Sequence, residues 1–118
     1  MKKFMAIYIG TAAALEKFQQ QYPDPGKQKA QEKAGMEAWW KWVMTNEKSI
    51  ADNGSPLGKT KRISSDGISD IRNNVAAYTI VTAESHQAAA RMFENHPHFM
   101  FFPGDSVEVM ECLPLPTA

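Results

Sequence analysis

The chain opens with an alternating segment that is apolar on both sides. Residues 3–10 place Phe4, Ala6 and Tyr8 on one face, and Met5, Ile7 and Ile9 on the other. Such a pattern is typical of a strand covered on both faces, so it predicts a central sheet position. The two lysines, apolar run and alanine cluster of residues 2–14 also fit a signal peptide superficially. The aromatic and β-branched content favours the strand.

A helical region follows. Thr11 can cap a short helix over residues 12–21, which ends before the two prolines and glycine of "YPDPGK". A long helix is predicted from about Lys27 to Asn53, with one stripe of apolar side chains at three- and four-residue spacing: Met36, Trp39, Trp40, Val43 and Ile50. Trp42 falls off this stripe and Glu47 falls within it. Asn53-Gly54 predicts a left-handed helix stop.

The second half of the chain alternates strands with one helix. Residues 57–65 form a weaker strand whose lysines favour an edge position, and a loop begins at Asp66-Gly67. From Asn74 the chain is again strand-like. Ser85 is a suitable N-cap for a helix to about Asn95, where Pro97 ends it. That helix presents an inward stripe of Ala89, Met92 and Phe93, and a last strand covers residues 106–112.

This element order, β, helical region, β, β, α, β, predicts an α+β fold. It corresponds to a ferredoxin-like βαββαβ with a four-stranded antiparallel sheet. Helices can cover only one face of such a sheet, although the strands are apolar on both. A second copy joined face to face supplies the other cover, so we expect a homodimer that forms a dimeric α+β barrel.

Composition limits the classes of binding partner that we expect. Thirteen basic and thirteen acidic side chains cancel, and a neutral protein lacks the counterion release that drives nucleic-acid binding. No apolar run is long enough to span a bilayer, so no membrane partner is expected. The single cysteine, Cys112, is expected to pack as a small hydrophobe in the last strand, which suits a cytoplasmic protein.

The sequence resembles the YCII-related family, in its DGPF-type branch, through segments spread over nearly the whole chain: "MKKFMAIYIG", "MEAWWKWV", "NGSPL", "NNVAAYTIVTAESHQAAARMFENHPHF" and "SVEVMECLPL". The resemblance implies one domain over residues 1–118, a dimeric α+β barrel, and a pocket between the sheet and helices of each protomer. The branch's Asp-Gly-Pro-Phe motif reads Asp66, Gly67, Ile68 and Ser69 here.

The resemblance also bears on catalysis. Some enzymes of the wider family carry a histidine on the first long helix and an aspartate before a late proline. The corresponding positions hold Trp39 or Trp40 and His96 in this chain. That His-Asp dyad is therefore absent.

Three side chains are candidates for catalysis. His96 and His98 flank Pro97 at a helix end; either can act as a general base, or simply bond the last helical carbonyls. Glu47, in an apolar stripe, would form a proton-transfer dyad if it were hydrogen-bonded to a histidine. Otherwise it lies near the helix end in water.

Aromatic side chains are the candidates for ligand binding. Tyr8, Trp40, Trp42 and Tyr78 can form walls for a flat phenol or quinone, although aromatics at such spacing are more often core. The spacing of the histidines and the single cysteine does not favour a metal site. Phosphate-loop and dinucleotide glycine motifs are absent, so we expect no cofactor.

Two functional hypotheses follow. The first is a cofactor-independent isomerase, lyase or dehydrohalogenase that acts on small cyclic or aromatic compounds by proton transfer. The second is a non-catalytic dimeric module that binds a small molecule or a partner protein.

Overall fold

The computed structural model describes residues 1–117 and contains six strands and four helices in that range. In chain order these are β1 (Lys2–Ile9), α1 (Ala12–Gln21), α2 (Pro25–Thr45), β2 (Ile50–Pro56), β3 (Thr60–Ser64), β4 (Gly67–Ile71), β5 (Val75–Ala83), α3 (His86–Arg91), α4 (Pro97–Met100) and β6 (Ser106–Glu111). A single 3₁₀ turn, Glu47–Ser49, joins α2 to β2. None of these helices is long and apolar enough to cross a bilayer.

Four strands form one antiparallel sheet in the order β2-β5-β1-β6. With α1 and α2 after the first strand and α3 and α4 before the last, this is the ferredoxin-like arrangement. The predicted α+β class and four-stranded sheet are confirmed. β3 and β4 form a separate hairpin, which lies between β2 and β5 in the chain.

The core lies on one face of the sheet. Phe4, Ala6 and Tyr8 of β1 are fully buried there, beside Val81 of β5. Phe93, just after α3, closes the core from the helical side. The alternation predicted for β1 is confirmed, since Met5, Ile7 and Ile9 lie on the opposite face and are half-buried.

Both predicted helix caps are confirmed. The Thr11 hydroxyl accepts a hydrogen bond from the Ala14 amide at 3.1 Å, and α1 covers residues 12–21. The Ser85 hydroxyl accepts one from the Ala88 amide at 3.0 Å. α3 ends earlier than expected, at Arg91 rather than Asn95, and Pro97 does more than end a helix, because it begins α4.

The predicted C-terminal half of the long helix is wrong. α2 ends at Thr45, where the backbone and side-chain amides of Asn46 both donate to the Trp42 carbonyl. Ile50 then pairs with Val81 in the sheet. Asn53-Gly54 is not a helix stop but part of an irregular stretch of β2, with Gly54 at φ 72°.

The strand predicted at residues 57–65 is present as β3, but the prediction that it forms an edge of the main sheet is wrong. Residues 60–64 pair with residues 67–71, where the sequence predicts a loop, and β2 and β6 form the edges of the four-stranded sheet. The predicted inward face of α2 is wrong as well. Trp42 packs against the core, whereas Trp40, which was placed on the apolar stripe, is 58% exposed. Cys112 follows β6 and is exposed, not packed as a small hydrophobe.

Candidate functional site

A cavity of about 360 Å³ lies between α2 and the β2–β5 edge of the sheet. Aromatic side chains dominate its walls, and one imidazole reaches it. The lining residues are Met36, Trp39, Trp40, Trp42, Val43, Asn53, Gly54, Ser55, Pro56, Ala77, Tyr78, Thr79, His98 and Phe102. Among the cavities of residues 1–117, we select it because it joins the three tryptophans to a buried histidine.

Two larger cavities lack that combination. One of about 440 Å³ lies between α1 and residues 99–105, and one of about 680 Å³ lies at the base of the β3–β4 hairpin. Neither is lined by a tryptophan or a histidine. A third, of about 380 Å³, contains the exposed His86, whose Nε2 lies 2.7 Å from the Val109 carbonyl.

The irregular part of β2 shapes one wall of the cavity. The Asp52 carboxylate accepts a hydrogen bond from the Gly54 amide at 2.8 Å, which closes a tight local turn. Gly54 packs directly on the Tyr78 carbonyl, where a Cβ would overlap the oxygen. Bulges of this kind often re-aim chain segments beside functional sites.

A buried hydroxyl chain runs behind this wall. The Thr79 hydroxyl donates to the Asn53 carbonyl at 3.2 Å, so it accepts the bond from the Tyr8 hydroxyl at 2.9 Å. Burial raises the pKa of Tyr8 to about 12, despite the opposing effect of the bond to Thr79. Tyr8 is therefore a protonated core residue, and Thr79 separates its hydroxyl from the cavity.

His98 has a defined tautomer. Its Nε2 lies 2.7 Å from the Ile9 carbonyl, which can only accept, so Nε2 carries the proton and Nδ1 of the neutral ring carries a lone pair. Burial lowers the pKa of His98, outweighing the Ile9 bond and the Asp105 carboxylate, which both act to raise it. Gly104 lies so close to the ring that a Cβ there would collide with it.

His96 is fully buried and has the opposite tautomer. Its Nδ1 accepts a hydrogen bond from the His98 backbone amide at 3.0 Å, so the proton of the neutral ring is on Nε2. Burial, followed by the neighbouring His98, lowers the pKa of His96 to about 3. A ring that stays neutral and whose only lone pair is already bonded is a poor general base.

The Nε2 atom of His96 is the one buried side-chain polar atom without a hydrogen-bond partner in residues 1–117. Four aromatic rings surround the imidazole: Trp39 at 4.5 Å, Trp42 at 4.6 Å, Tyr8 at 5.1 Å and Phe93 at 5.7 Å between centroids. Trp39 and Trp42 also line the cavity, so His96 lies directly behind two of its walls.

Glu47 does not join the histidines. It lies in the exposed 3₁₀ turn after α2, outside the cavity lining, and it forms no hydrogen bond with either histidine in the described chain. Glu47 is not part of the apolar stripe of α2, because the helix ends two residues earlier, at Thr45.

The predicted ligand-binding residues divide into two groups. Trp40, Trp42 and Tyr78 line the cavity, whereas Tyr8 lies beneath Thr79. Alternation along β5 directs the Tyr78 side chain to the outer face, opposite Thr79, so its backbone forms the wall beside Gly54.

Sequence reasoning missed most of the cavity lining, including Trp39 and Thr79. Trp39 belongs to the apolar stripe of the predicted helix, which is a signal of burial and not of a site. Thr79 carries no sequence signal of its own. Across residues 1–117 no three His, Cys, Asp or Glu side chains come together in a way that could hold a metal ion.

Comparison with known proteins identifies the fold and nothing finer. Neither a protein-family model nor a curated protein matches the chain. Among solved structures, it is similar to 5-chloro-2-hydroxyhydroquinone dehydrochlorinase (TftG) from Burkholderia phenoliruptrix AC1100, in complex with 2,5-dihydroxybenzoquinone. The likeness covers 92% of this chain and 90% of that chain, at 16% identity and a TM-score of 0.50. It supports the α+β barrel type of fold, while the YCII-related branch stays a prediction.

Proposed function

We propose that the tryptophan-lined cavity binds a flat aromatic or quinone-like molecule. Its volume of about 360 Å³ suits a small cyclic compound. The indoles of Trp39 and Trp42 supply flat apolar walls, and His98 supplies a polar contact. The solved structure of similar fold is a complex with a benzoquinone, which supports this class of ligand.

We further propose that His98 acts there as a general base. The observation that carries this proposal is the bond between His98 Nε2 and the Ile9 carbonyl, which keeps the lone pair on Nδ1 in a residue lining the cavity. The lowered pKa keeps the ring neutral and able to accept a proton at neutral pH. The Asp105 carboxylate favours the imidazolium that forms.

With His98 as a single base and no cofactor, the proposed reactions are those that begin with a proton transfer. Nδ1 takes a proton from a substrate hydroxyl, or from carbon next to a carbonyl. In an isomerase, the imidazolium returns that proton to another substrate atom. In a lyase or dehydrohalogenase, the electron pair left on the substrate expels the leaving group, and the proton passes to solvent.

The first experiment is a thermal-shift screen against phenols, quinones and lactones, since a ligand that binds only the native state raises its Tm. Each hit is then tested for conversion. With His98→Gln we expect turnover to fall by roughly 10²–10⁴-fold, the usual contribution of a general base. The matched control is His86→Gln, an exposed histidine outside this cavity. Unchanged turnover in His98→Gln would refute the catalytic proposal.

A non-catalytic binding module is the second candidate. It is favoured by the internal bonds that occupy His96 Nδ1 and the Tyr8 hydroxyl, and by the absence of a carboxylate hydrogen-bonded to either histidine in residues 1–117. In that case ligands found in the screen remain unconverted, and His98→Gln changes affinity only.

We also propose that the protein is a homodimer formed through the outer face of the sheet. Met5 lies between Ile80 and Met110 in cross-strand register, and Ile7 lies between Tyr78 and Glu108 in the next row. These rows form a largely apolar surface, on which Met110 is 43% exposed. Size-exclusion chromatography with light scattering at micromolar concentration tests this, and a strict monomer contradicts it.

A further inference from the structure

The helix that carries His98 is too short to be stable by itself. α4 has four residues, and one isolated helical turn fixes several dihedral angles for very few hydrogen bonds. Its position therefore depends on its ends and on tertiary contacts. Pro97 at its first position supplies a suitable φ but no amide donor.

The N-cap of α4 is unusual because it is an imidazole. Ser, Thr, Asp and Asn are the residues that commonly cap a helix through a side-chain oxygen. Here Nδ1 of His96 accepts the amide of His98 at 3.0 Å. Because the His96 ring is wedged among four aromatic rings, the acceptor is held by the hydrophobic core, not by a mobile side chain.

This cap leaves one donor of the ring without a partner. Nε2–H of His96 is buried without a hydrogen-bond acceptor, which is an unfavourable arrangement. A buried donor without an acceptor is rare in native proteins, and one that lies beside a candidate functional site calls for an explanation.

Three restraints converge on His98. Its amide is held by His96 Nδ1, its Nε2–H by the Ile9 carbonyl, and its ring faces Gly104, which leaves room for it. The first bond fixes the backbone of α4 and so places the ring where the second bond can form. Together they determine where the free Nδ1 points.

We infer that His96 is a positioning residue for His98. It acts through its Nδ1 acceptor, which anchors α4 to the aromatic core and so holds His98 Nδ1 toward the cavity. This inference rests on the proposed role of His98 as the base. It assigns His96 no contact with the substrate.

The test compares His96→Asn, which keeps an acceptor near the Nδ1 position, with His96→Leu, which fills space without one. Long-range ¹⁵N–¹H NMR reports the tautomer of His98 in each variant. Calorimetry reports the affinity for 2,5-dihydroxybenzoquinone. We expect His96→Asn to keep the Nε2–H tautomer and an affinity within about twofold of the unmodified chain. In His96→Leu, we expect mixed tautomers and at least a tenfold weaker affinity.

Retention of the His98 tautomer in His96→Asn but not in His96→Leu separates a positioning role of His96 from simple packing. If His96→Leu retains the tautomer, or if asparagine fails to restore it, the inference is overturned. If His96→Leu does not fold, His96→Gln takes its place, because its longer amide moves the acceptor away from the His98 amide. If the quinone does not bind the unmodified chain, quinone binding as proposed fails, while the tautomer comparison still decides the role of His96.

Discussion

Acid should destabilise this protein through His96 in a measurable way. The pKa of His96 falls from 6.5 to about 3 in the folded chain because the ring is buried. Below pH 6.5 the unfolded chain takes up a proton that the folded chain refuses, so stability is lost as the pH falls toward 3. Above pH 6.5 both states are neutral at this residue and its effect vanishes.

The expected magnitude follows from that difference. Each unit of pKa corresponds to about 1.36 kcal/mol, so the complete loss approaches about 5 kcal/mol below pH 3. Between pH 7 and pH 4.5, the linkage relation gives a loss of about 2.5 kcal/mol from His96 alone. That is a large share of the 5–15 kcal/mol typical of a domain.

Urea unfolding followed by tryptophan fluorescence measures this effect at pH 7, 6, 5 and 4.5. The comparison chain is His96→Asn, whose amide does not titrate but keeps the cap. We expect the stability advantage of the unmodified chain over this variant to shrink by about 2.5 kcal/mol across the range. His98 is present in both chains, so its own contribution largely cancels.

Phe18→Leu is the control for destabilisation without a change in proton binding. It alters a buried ring of α1 that packs on Tyr22 and is not among the rings around His96, so it should lower the unfolding free energy by a similar amount at every pH. If the curves for the unmodified chain and His96→Asn run parallel from pH 7 to pH 4.5, the reasoning about a neutral buried His96 is refuted.

Three further predictions concern the cavity walls and the outer sheet face. Trp42→Phe removes the indole N–H that donates to the Met92 carbonyl at 2.8 Å, and should lower the unfolding free energy by about 1–3 kcal/mol in urea titrations. Gly54→Ala forces a Cβ onto the Tyr78 carbonyl at positive φ, so we expect a loss above about 1–2 kcal/mol and a visibly lower Tm; an unchanged Tm would contradict the turn geometry. Met5→Lys places a charge between Ile80 and Met110 on the outer sheet face and should convert the proposed dimer to a monomer in light scattering.

Local chemistry could be predicted from sequence with good accuracy. The caps at Thr11 and Ser85 each close a hydrogen bond over three residues, so nothing distant is needed to form them. The alternation in residues 3–10 similarly reveals both faces of β1. The central place predicted for β1 is confirmed, because β5 and β6 pair with it on either side.

Errors arose where one pattern fits two structures. Ile50 continues a helical stripe in the sequence, but in the fold it pairs with Val81 on a neighbouring strand. The Asn53-Gly54 pair is as typical of a helix stop as it is of a strand bulge. The face of α2 was misread for a related reason: three tryptophans within four positions allow more than one stripe, and contact with Phe93 selects Trp42.

The sequence by itself determined the fold class, the caps and the position of the two histidines on either side of Pro97. Only the tertiary structure decided which histidine has a free lone pair. The His98 ring is fixed by a carbonyl 89 residues earlier in the chain. The His96 ring is held among four rings from β1, α2 and the segment after α3, so that its Nδ1 meets the His98 amide. Periodicity reports which side of an element is buried, whereas a tautomer depends on individual atoms that only folding brings together.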